Sequence, residues 1–286
     1  MVTIFYFQIS LEKTREKYTF VVMENKLIGA LSDFLESYSI SYETEGNSIF
    51  TDGGKLRIDA VDLSDNNSVY REVTQSSEVQ VIRVYEDLWH TRPGLIKNRL
   101  LGIFGFGESI FARKCELRSV SPQEASRFLN ENHLLGSSSC KYRYGLFYNN
   151  ILYAVATFSA PRPMNRDGVI VGSYEWVRYA SKGSSRVLGG MGRLLSCFVR
   201  ECNPGEIMSY ADKDWSEGNA YIKLGFKLTG ETAPIRFFVN SETNIRISEK
   251  KLVSDKKFRN YDLQKSGFVS LFNSGNLKFI RSFATL

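Results

Sequence analysis

Cysteine and histidine are scarce in this chain of 286 residues. Its four cysteines are too few for a disulfide-stapled scaffold of this length, and no two of them form a C-x-x-C pair. Only two histidines are present, so a structural zinc site would need an unusual set of ligands. We therefore expect a protein of the reducing cytoplasm that binds no metal.

Long hydrophobic runs are also missing. The apolar start from Met1 to Ile9 lacks a basic leader, and charge interrupts it from Glu12 onward, so it is too short for a signal peptide or a membrane span. We interpret it as a strand or a buried arm, and we expect no membrane partner. Hydrophobic residues at 43% and charged residues at 24% are typical of a globular protein.

Basic residues are in modest excess, with 37 Lys and Arg against 31 Asp and Glu and a pI near 9.0. This balance favours an anionic partner, such as nucleic acid or a phosphorylated cofactor. The alternative is that the cations cover solvated faces, as the isolated pair Lys250-Lys251 suggests. Composition alone leaves both open.

Alternating helix and strand patterns predict an α/β (α+β) fold in two domains. A helical pattern spans residues 24–38, a hairpin spans 48–63, and a helix with Pro93 in its first turn spans 88–103. Three glycines between Gly102 and Gly107 then mark a domain boundary. We predict domains at 1–107 and 113–239, with 240–286 as a C-terminal extension that packs on one of them.

The second domain carries clear local signals. Ser121 is a helix N-cap followed by proline and by Glu124, and Asn149-Asn150 is a tight turn between two strands. A strand at 174–180 leads to the glycine-rich turn Arg186 to Gly192, which opens a helix. Glycines let the backbone approach a phosphate, and the helix start offers free N–H groups and the positive end of a dipole.

This order of elements, with Tyr221 shortly before Gly225-Phe226, resembles the GNAT superfamily of acyl-CoA-dependent N-acyltransferases over residues 113–239. The resemblance implies a mixed central sheet flanked by helices and a donor such as acetyl-CoA or another acyl-CoA. Family members hold the cofactor pyrophosphate on an Arg/Gln-x-x-Gly-x-Gly/Ala turn, which Arg186 to Gly192 matches with one residue of slack. The implied cofactor-binding residues are Arg186, Leu188, Gly189, Gly190, Gly192, Arg193 and Asn219.

The same resemblance implies catalytic roles. Tyr221 would protonate the departing CoA thiolate; the alternative is that it only packs on the helix after the glycine turn. Glu175 or Asp212 would take the proton from the acceptor amine, or each would serve in an ion pair, with Arg178 available to Glu175.

The whole chain also resembles phage-borne and bacterial proteins in which a GNAT-like half follows a nuclease-like half, similar to very-short-patch-repair and PD-(D/E)XK homing endonucleases. Short motifs carry this resemblance, among them Tyr210-Ala211-Asp212 with Trp215-Ser216. Such nucleases need an Asp and then a Glu/Asp-x-Lys, but after Asp59 this chain offers Glu72-Val73-Thr74, with threonine where lysine belongs. We expect a degenerate domain kept for binding or scaffolding.

Cations near the predicted domain junction are the candidates for contact with DNA; they are Arg83, Lys97, Arg99, Arg113 and Lys114. Two hypotheses follow. The first is an acyltransferase with an unknown acceptor amine, possibly on nucleic acid. The second is a nucleic-acid-binding protein or homing-endonuclease-like nuclease whose GNAT-like domain is not catalytic.

Overall fold

The structure, a computed structural model, describes residues 25–63, 79–255, 263 and 266–283. The apolar start, the residues from Ser64 to Glu78 and therefore the Glu72-Val73-Thr74 segment lie outside these residues. Within the part that the structure describes, no helix is long and apolar enough to cross a membrane.

The N-terminal body is a helix on a four-stranded sheet. Its elements are α1 (Lys26–Ser37), β1 (Tyr42–Glu45), β2 (Ser48–Thr51), β3 (Leu56–Val61) and β4 (Gln80–Tyr85), in the sheet order β1-β2-β3-β4. Strands β1 to β3 are antiparallel, and β4 runs parallel to β3. Asn25 caps α1 by accepting from the amides of Leu27 and Ile28. The predicted first helix and the hairpin are confirmed.

The single helix predicted for 88–103 is wrong, because the structure has two helices, α2 (Glu86–Thr91) and α3 (Pro93–Ile103). Between them Arg92 adopts φ −137° and ψ 47°, which is not helical. Proline lacks an amide proton and its ring clashes with a preceding helical turn, so Pro93 begins a new helix instead of continuing the first.

The second body is built on a large mixed sheet in the order β13-β17-β12-β10-β8-β7-β6, with β9 paired to β10. Its strands are β6 (Glu116–Ser119), β7 (Tyr142–Tyr148), β8 (Ile151–Phe158), β9 (Arg162–Arg166), β10 (Val169–Ser181), β12 (Glu206–Asp212), β13 (Lys227–Glu231) and β17 (Asn276–Ser282). A separate parallel pair joins β5 (Ser109–Phe111) to β11 (Arg186–Leu188). The mixed α/β fold class is confirmed.

Helices cover both faces of the large sheet. α4 (Pro122–Asn132) packs Phe128 and Leu129 against Val155 on one face, whereas α5 (Gly190–Cys202) packs Phe198 flat on Phe158 on the other, with ring centroids 3.9 Å apart. The predicted Ser121 cap is confirmed, since its side chain accepts from the Glu124 amide at 3.2 Å. The turn at Asn149-Asn150 is also confirmed, with φ of 49° and 62° at these residues.

The segment from Arg236 onward contributes to both bodies. A three-stranded sheet consists of β14 (Arg236–Asn240), β15 (Arg246–Ser248) and β16 (Phe268–Phe272), and α7 (Glu249–Ser254) follows β15. This sheet packs Phe237, Val239 and Leu271 against Tyr85 of the N-terminal body. Strand β17 instead lies inside the large sheet, between β12 and β13. The helix α6 (Asn219–Lys223) precedes β13 in the chain. The large sheet thus includes residues well beyond the predicted boundary at 239.

Candidate functional site

The helix α5 begins without a side-chain cap. Gly189 occupies the N-cap position in the left-handed region, with φ 77° and ψ 4°, and the first turn contains no acidic residue. The first intrahelical bond runs from the Arg193 amide to the Gly189 carbonyl at 3.0 Å. The preceding amides, those of Gly190, Met191 and Gly192, have no intrahelical acceptor by the geometry of a helix start. This end of α5 is therefore suited to an anion.

An open cleft of about 550 Å³ lies at this helix start. Its walls come from the strand pair β5 and β11 and from the first turn of α5, and the lining residues are Phe111, Ala112, Arg113, Leu188, Gly189 and Arg193. The Arg113 guanidinium stacks 4.8 Å from the centre of the Phe111 ring. Arg193 donates to the Ala112 carbonyl and so ties the two walls together. Two cations and an open helix end make the cleft positive.

The structure places some of the predicted cofactor-binding residues in the cleft and others outside it. Leu188, Gly189 and Arg193 line the cleft. Arg186 is turned away, because its guanidinium donates to the carbonyls of Gly102 and Ile103 at the end of α3. Asn219 is exposed at the start of α6 and donates to Glu217 at 3.2 Å.

Two glycines of the turn have packing roles. A Cβ atom added at Gly190 would lie 3.0 Å from the Tyr179 hydroxyl and 3.0 Å from Val187, and one at Gly192 would lie 3.3 Å from Leu224. The absence of side chains at these two positions therefore lets α5 approach β10 and α6 closely.

Strands β10 and β12 separate at the centre of the sheet. Their parallel pairing covers only residues 173–175 against 206–208. Beyond this point β10 continues along β8 with an irregularity between Trp176 and Arg178, whereas β12 continues along β17. Beyond Glu175 the backbones of β10 and β12 therefore no longer bond to each other. The gap between them offers free backbone groups to an extended ligand arm.

Tyr221 lies at this gap. Its hydroxyl is 2.8 Å from Ser209 Oγ, which in turn lies 3.0 Å from the Trp176 carbonyl oxygen. The Tyr221 ring stacks on Phe279 with centroids 5.2 Å apart and meets Trp176 edge-on at 5.9 Å. Burial raises the pKa of Tyr221, opposed by the hydrogen bond to Ser209, so the phenol keeps its proton at neutral pH.

Glu175 and Asp212 share a sheet face. Glu175 is in register with Met208 on β12, and alternate residues along that strand, including Asp212, point to the same side. Arg178 directs its hydrogen bonds to the carbonyls of Gly136 and Val177. Both candidate bases therefore lie on the face opposite to α5.

Asp212 sits in a charged environment. Burial, and secondly the neighbouring Asp214, raise the pKa of Asp212 to about 6, while the Asp214 amide and then Arg99 oppose the rise. The Asp214 amide donates to Asp212 Oδ1 at 3.0 Å. A carboxylate with a pKa near neutrality is matched to proton transfer from an amine at physiological pH.

The predicted DNA-contacting cations do not share one open face. Arg83 is only 7% exposed, and the Arg99 guanidinium stacks 4.6 Å from the Trp215 ring centre. Lys97 lies 5.2 Å from the Trp89 ring centre, and Arg113 belongs to the cleft, while Lys114 is exposed beside it.

Side chains that could ligate a metal do not cluster in the described ranges. They contain no group of three or more His, Cys, Asp or Glu side chains placed to hold a metal ion. Asp59, the predicted nuclease carboxylate, accepts from Ser48 at 2.8 Å and pairs with Arg57 at 2.9 Å.

Comparisons with known proteins give matches among solved structures. No family model matches the chain, and no curated protein matches it. Arabidopsis thaliana Naa50, in complex with a bisubstrate analogue, is 15% identical with a TM-score of 0.36, and the match covers 59% of this chain and 99% of that one. The ribosomal-protein-S18-alanine N-acetyltransferase of Escherichia coli is 12% identical with a TM-score of 0.37, covering 60% and 96%.

A GNAT family acetyltransferase from Elizabethkingia anophelis with acetyl-CoA bound is 12% identical with a TM-score of 0.34, covering 59% of this chain and 99% of that one. These matches are GNAT acetyltransferases and cover about 60% of the chain. Because the identities and TM-scores are low, these matches carry no residue role over to this chain.

The sequence did not reveal several residues of the site. Ser209 and the Trp176 carbonyl orient the Tyr221 hydroxyl, and Phe111 with Ala112 forms the far wall of the cleft. The far wall lies 74 or more positions before the glycine turn in the sequence (186 − 112 = 74), and only strand pairing brings the two together.

Proposed function

We propose that the large-sheet body is a GNAT-like N-acyltransferase that binds an acyl-CoA-type donor, such as acetyl-CoA, along α5. The observation that carries this proposal is the uncapped start of α5, which opens into a cleft lined by Arg113 and Arg193. A pyrophosphate matches this end of the helix, because its oxygens accept from free amides and its charge is favoured by both the dipole and the guanidinium groups.

The gap between β10 and β12 supports the second part of the proposal. A pantetheine arm that leaves the cleft has unpaired backbone edges beyond Glu175 to bond with, and Tyr221 lies at this gap. In the transfer, the amine nitrogen attacks the thioester carbonyl carbon, a C–N bond forms, and the C–S bond breaks. Tyr221 gives its proton to the leaving sulfur, and Ser209 holds the phenol in place.

The proton released by the amine needs an acceptor on the other side of the sheet. Glu175 and Asp212 lie on that face, opposite to α5, so donor and acceptor approach from different sides. We favour Asp212 as the base, because its pKa of about 6 lets it accept a proton without being permanently protonated at neutral pH. An acceptor amine on nucleic acid stays a prediction. The predicted DNA-contacting cations are dispersed and give it no added support.

The test is calorimetric titration of the full chain with CoA and with acetyl-CoA. We expect binding to the wild type and a loss of about tenfold or more in affinity for Arg113→Glu, which places a carboxylate in the cleft. Lys114→Glu is the matched control, because it makes the same charge change one residue away, outside the cleft lining. A glutamate at Gly190 is a poorer choice, since its Cβ would press on Tyr179 and Val187.

Equal binding by the two variants would contradict the proposed place of the pyrophosphate. No heat from the folded wild type with either ligand would overturn the donor itself. If CoA binds, release of free thiol from acetyl-CoA in the presence of candidate amines then measures transfer.

A further inference from the structure

A small polar pocket of 220 Å³ lies beneath the first turns of α4, on the sheet face opposite to α5. Five of its lining residues carry hydroxyl groups, and none of the described lining residues carries a carboxylate. The pocket shares no lining residue with the cleft at α5. It is therefore a separate feature of the molecule.

Two buried polar atoms of the pocket lining, Thr157 Oγ1 and Arg143 Nε, have no hydrogen-bond partner among the described residues. Thr157 is 0% exposed, so its hydroxyl has no access to bulk solvent. A buried polar group without a partner costs free energy comparable to a lost hydrogen bond. Both groups therefore have unused hydrogen-bonding capacity: the Thr157 hydroxyl can donate or accept, and the Arg143 Nε–H can only donate.

The sheet register explains why these atoms meet. Thr157 on β8 is directly opposite Arg143 on β7 and directly opposite Arg178 on β10. Opposed residues in antiparallel strands point to the same face. Thr157 thus lies between two arginine positions on the α4 side of the sheet, and of these two arginines Arg143 lines the pocket.

The remaining lining adds donors and positive potential. The Arg143 Nη1 atom donates to the Cys140 carbonyl at 2.9 Å, which fixes the guanidinium. Ser126 Oγ donates to Ser137 Oγ at 3.0 Å, so the Ser137 proton is free to point to a ligand. The first turn of α4 contributes Pro122 and Ala125 to the lining.

We propose that this pocket binds a small oxyanion, the phosphate or carboxylate group of a ligand, through Arg143 Nε and the hydroxyls of Thr157 and Ser137. The absence of a carboxylate from the described lining and the presence of a fixed guanidinium favour an anion over a cation or an apolar group. A water occupies about 30 Å³ in the liquid, so the volume accommodates a phosphate group with its nearest waters. The proposal holds whether or not α5 binds CoA.

The first experiment is thermal unfolding of the full chain with sodium phosphate, sodium acetate or sodium chloride at equal ionic strength. We expect phosphate or acetate to raise the melting temperature of the wild type above that in chloride, and whichever does so identifies the class of oxyanion. Thr157→Val should abolish this shift. It should also leave the ligand-free protein at least as stable, since it removes an unpartnered buried hydroxyl. Arg127→Gln, an exposed arginine on the same helix, should retain the shift.

The second experiment reports on the pocket itself. Cys140 lines it and is partly exposed, so the bound oxyanion should slow its alkylation, measured by mass spectrometry, while Cys202 serves as the internal reference. Arg143→Gln should lower the affinity for the oxyanion by about tenfold or more, so a higher oxyanion concentration is needed to protect Cys140.

A wild type without shift and without protection overturns the proposal. A Thr157→Val variant that keeps the wild-type shift also overturns it, since the hydroxyl would then take no part in the binding. Calorimetry with CoA on the same variants distinguishes a loss of oxyanion binding in the pocket from a loss of CoA binding at the proposed donor site.

Discussion

One buried ion pair fastens the small C-terminal sheet to the N-terminal body. Asp87, on α2, is 0% exposed and receives two hydrogen bonds of 2.7 Å from Arg246 on β15. The Arg246 guanidinium also stacks on Phe237 at 3.8 Å and on Tyr85 at 4.7 Å. We predict that Asp87→Asn, which keeps the shape but removes the charge, strongly destabilises the protein.

The size of the effect follows from burial. Breaking a buried pair by removing one partner costs about 3 to 5 kcal/mol, because a charge is left uncompensated. The Arg246 side chain is 26% exposed, so water reaches part of it and the lower end, about 3 kcal/mol, applies. For a protein of this size a loss of about 3 kcal/mol lowers the melting temperature by roughly 6 to 12 °C.

Urea denaturation followed by circular dichroism and by tryptophan fluorescence measures this loss. The double variant Asp87→Asn with Arg246→Gln should be more stable than the sum of the two single losses predicts, since neither charge is then left alone. Glu116→Gln, which removes an exposed pair with Arg118, is the control and should change nothing measurable. A loss below about 1 kcal/mol for Asp87→Asn, or simple additivity in the double variant, would refute the reasoning.

Two further predictions concern the candidate catalytic groups. Tyr221→Phe keeps the stacking on Phe279 but removes the proton, so CoA affinity should be unchanged while kcat for transfer falls by about 10²- to 10⁴-fold; an unchanged kcat would exclude Tyr221 as the acid. Asp212→Asn tests how stability depends on pH. Between pH 3.8, the ordinary pKa of an Asp side chain, and about pH 6, the folded state holds a proton on Asp212 that the unfolded state has lost. Wild-type stability therefore falls as the pH rises through that window. The unfolding free energy of the variant relative to wild type should therefore increase from pH 4 to pH 6 and then level off; a flat difference would show that the pKa is not raised.

The sequence predicts those parts of the structure whose causes are local. The Ser121 cap, the Asn149-Asn150 turn and the glycine turn before α5 depend on a few neighbouring residues, and the structure has all three. The apolar spacing predicts one helix over 88–103 with Pro93 in its first turn, whereas Pro93 begins the separate helix α3.

Side-chain contacts between residues that are far apart in the sequence cannot be predicted from local patterns. Arg186 stands one position from the family motif, and nothing near it in sequence shows that the end of α3 supplies two carbonyls for its guanidinium. In the same way, the unpartnered hydroxyl of Thr157 depends on the register of three strands, which no local pattern encodes.

The position of Tyr221 shows most clearly why the C-terminal strand belongs to the candidate site. Gly218 precedes α6 with φ 76°, and a Cβ atom there would clash with the Phe279 ring of β17. The same ring stacks on Tyr221, while β17 pairs along β12 beside Ser209. Residues near 279 thus set both the angle at which α6 begins and the wall against which the phenol rests. A chain ending at the predicted boundary of 239 would therefore lack the support that directs the Tyr221 hydroxyl to the gap between β10 and β12.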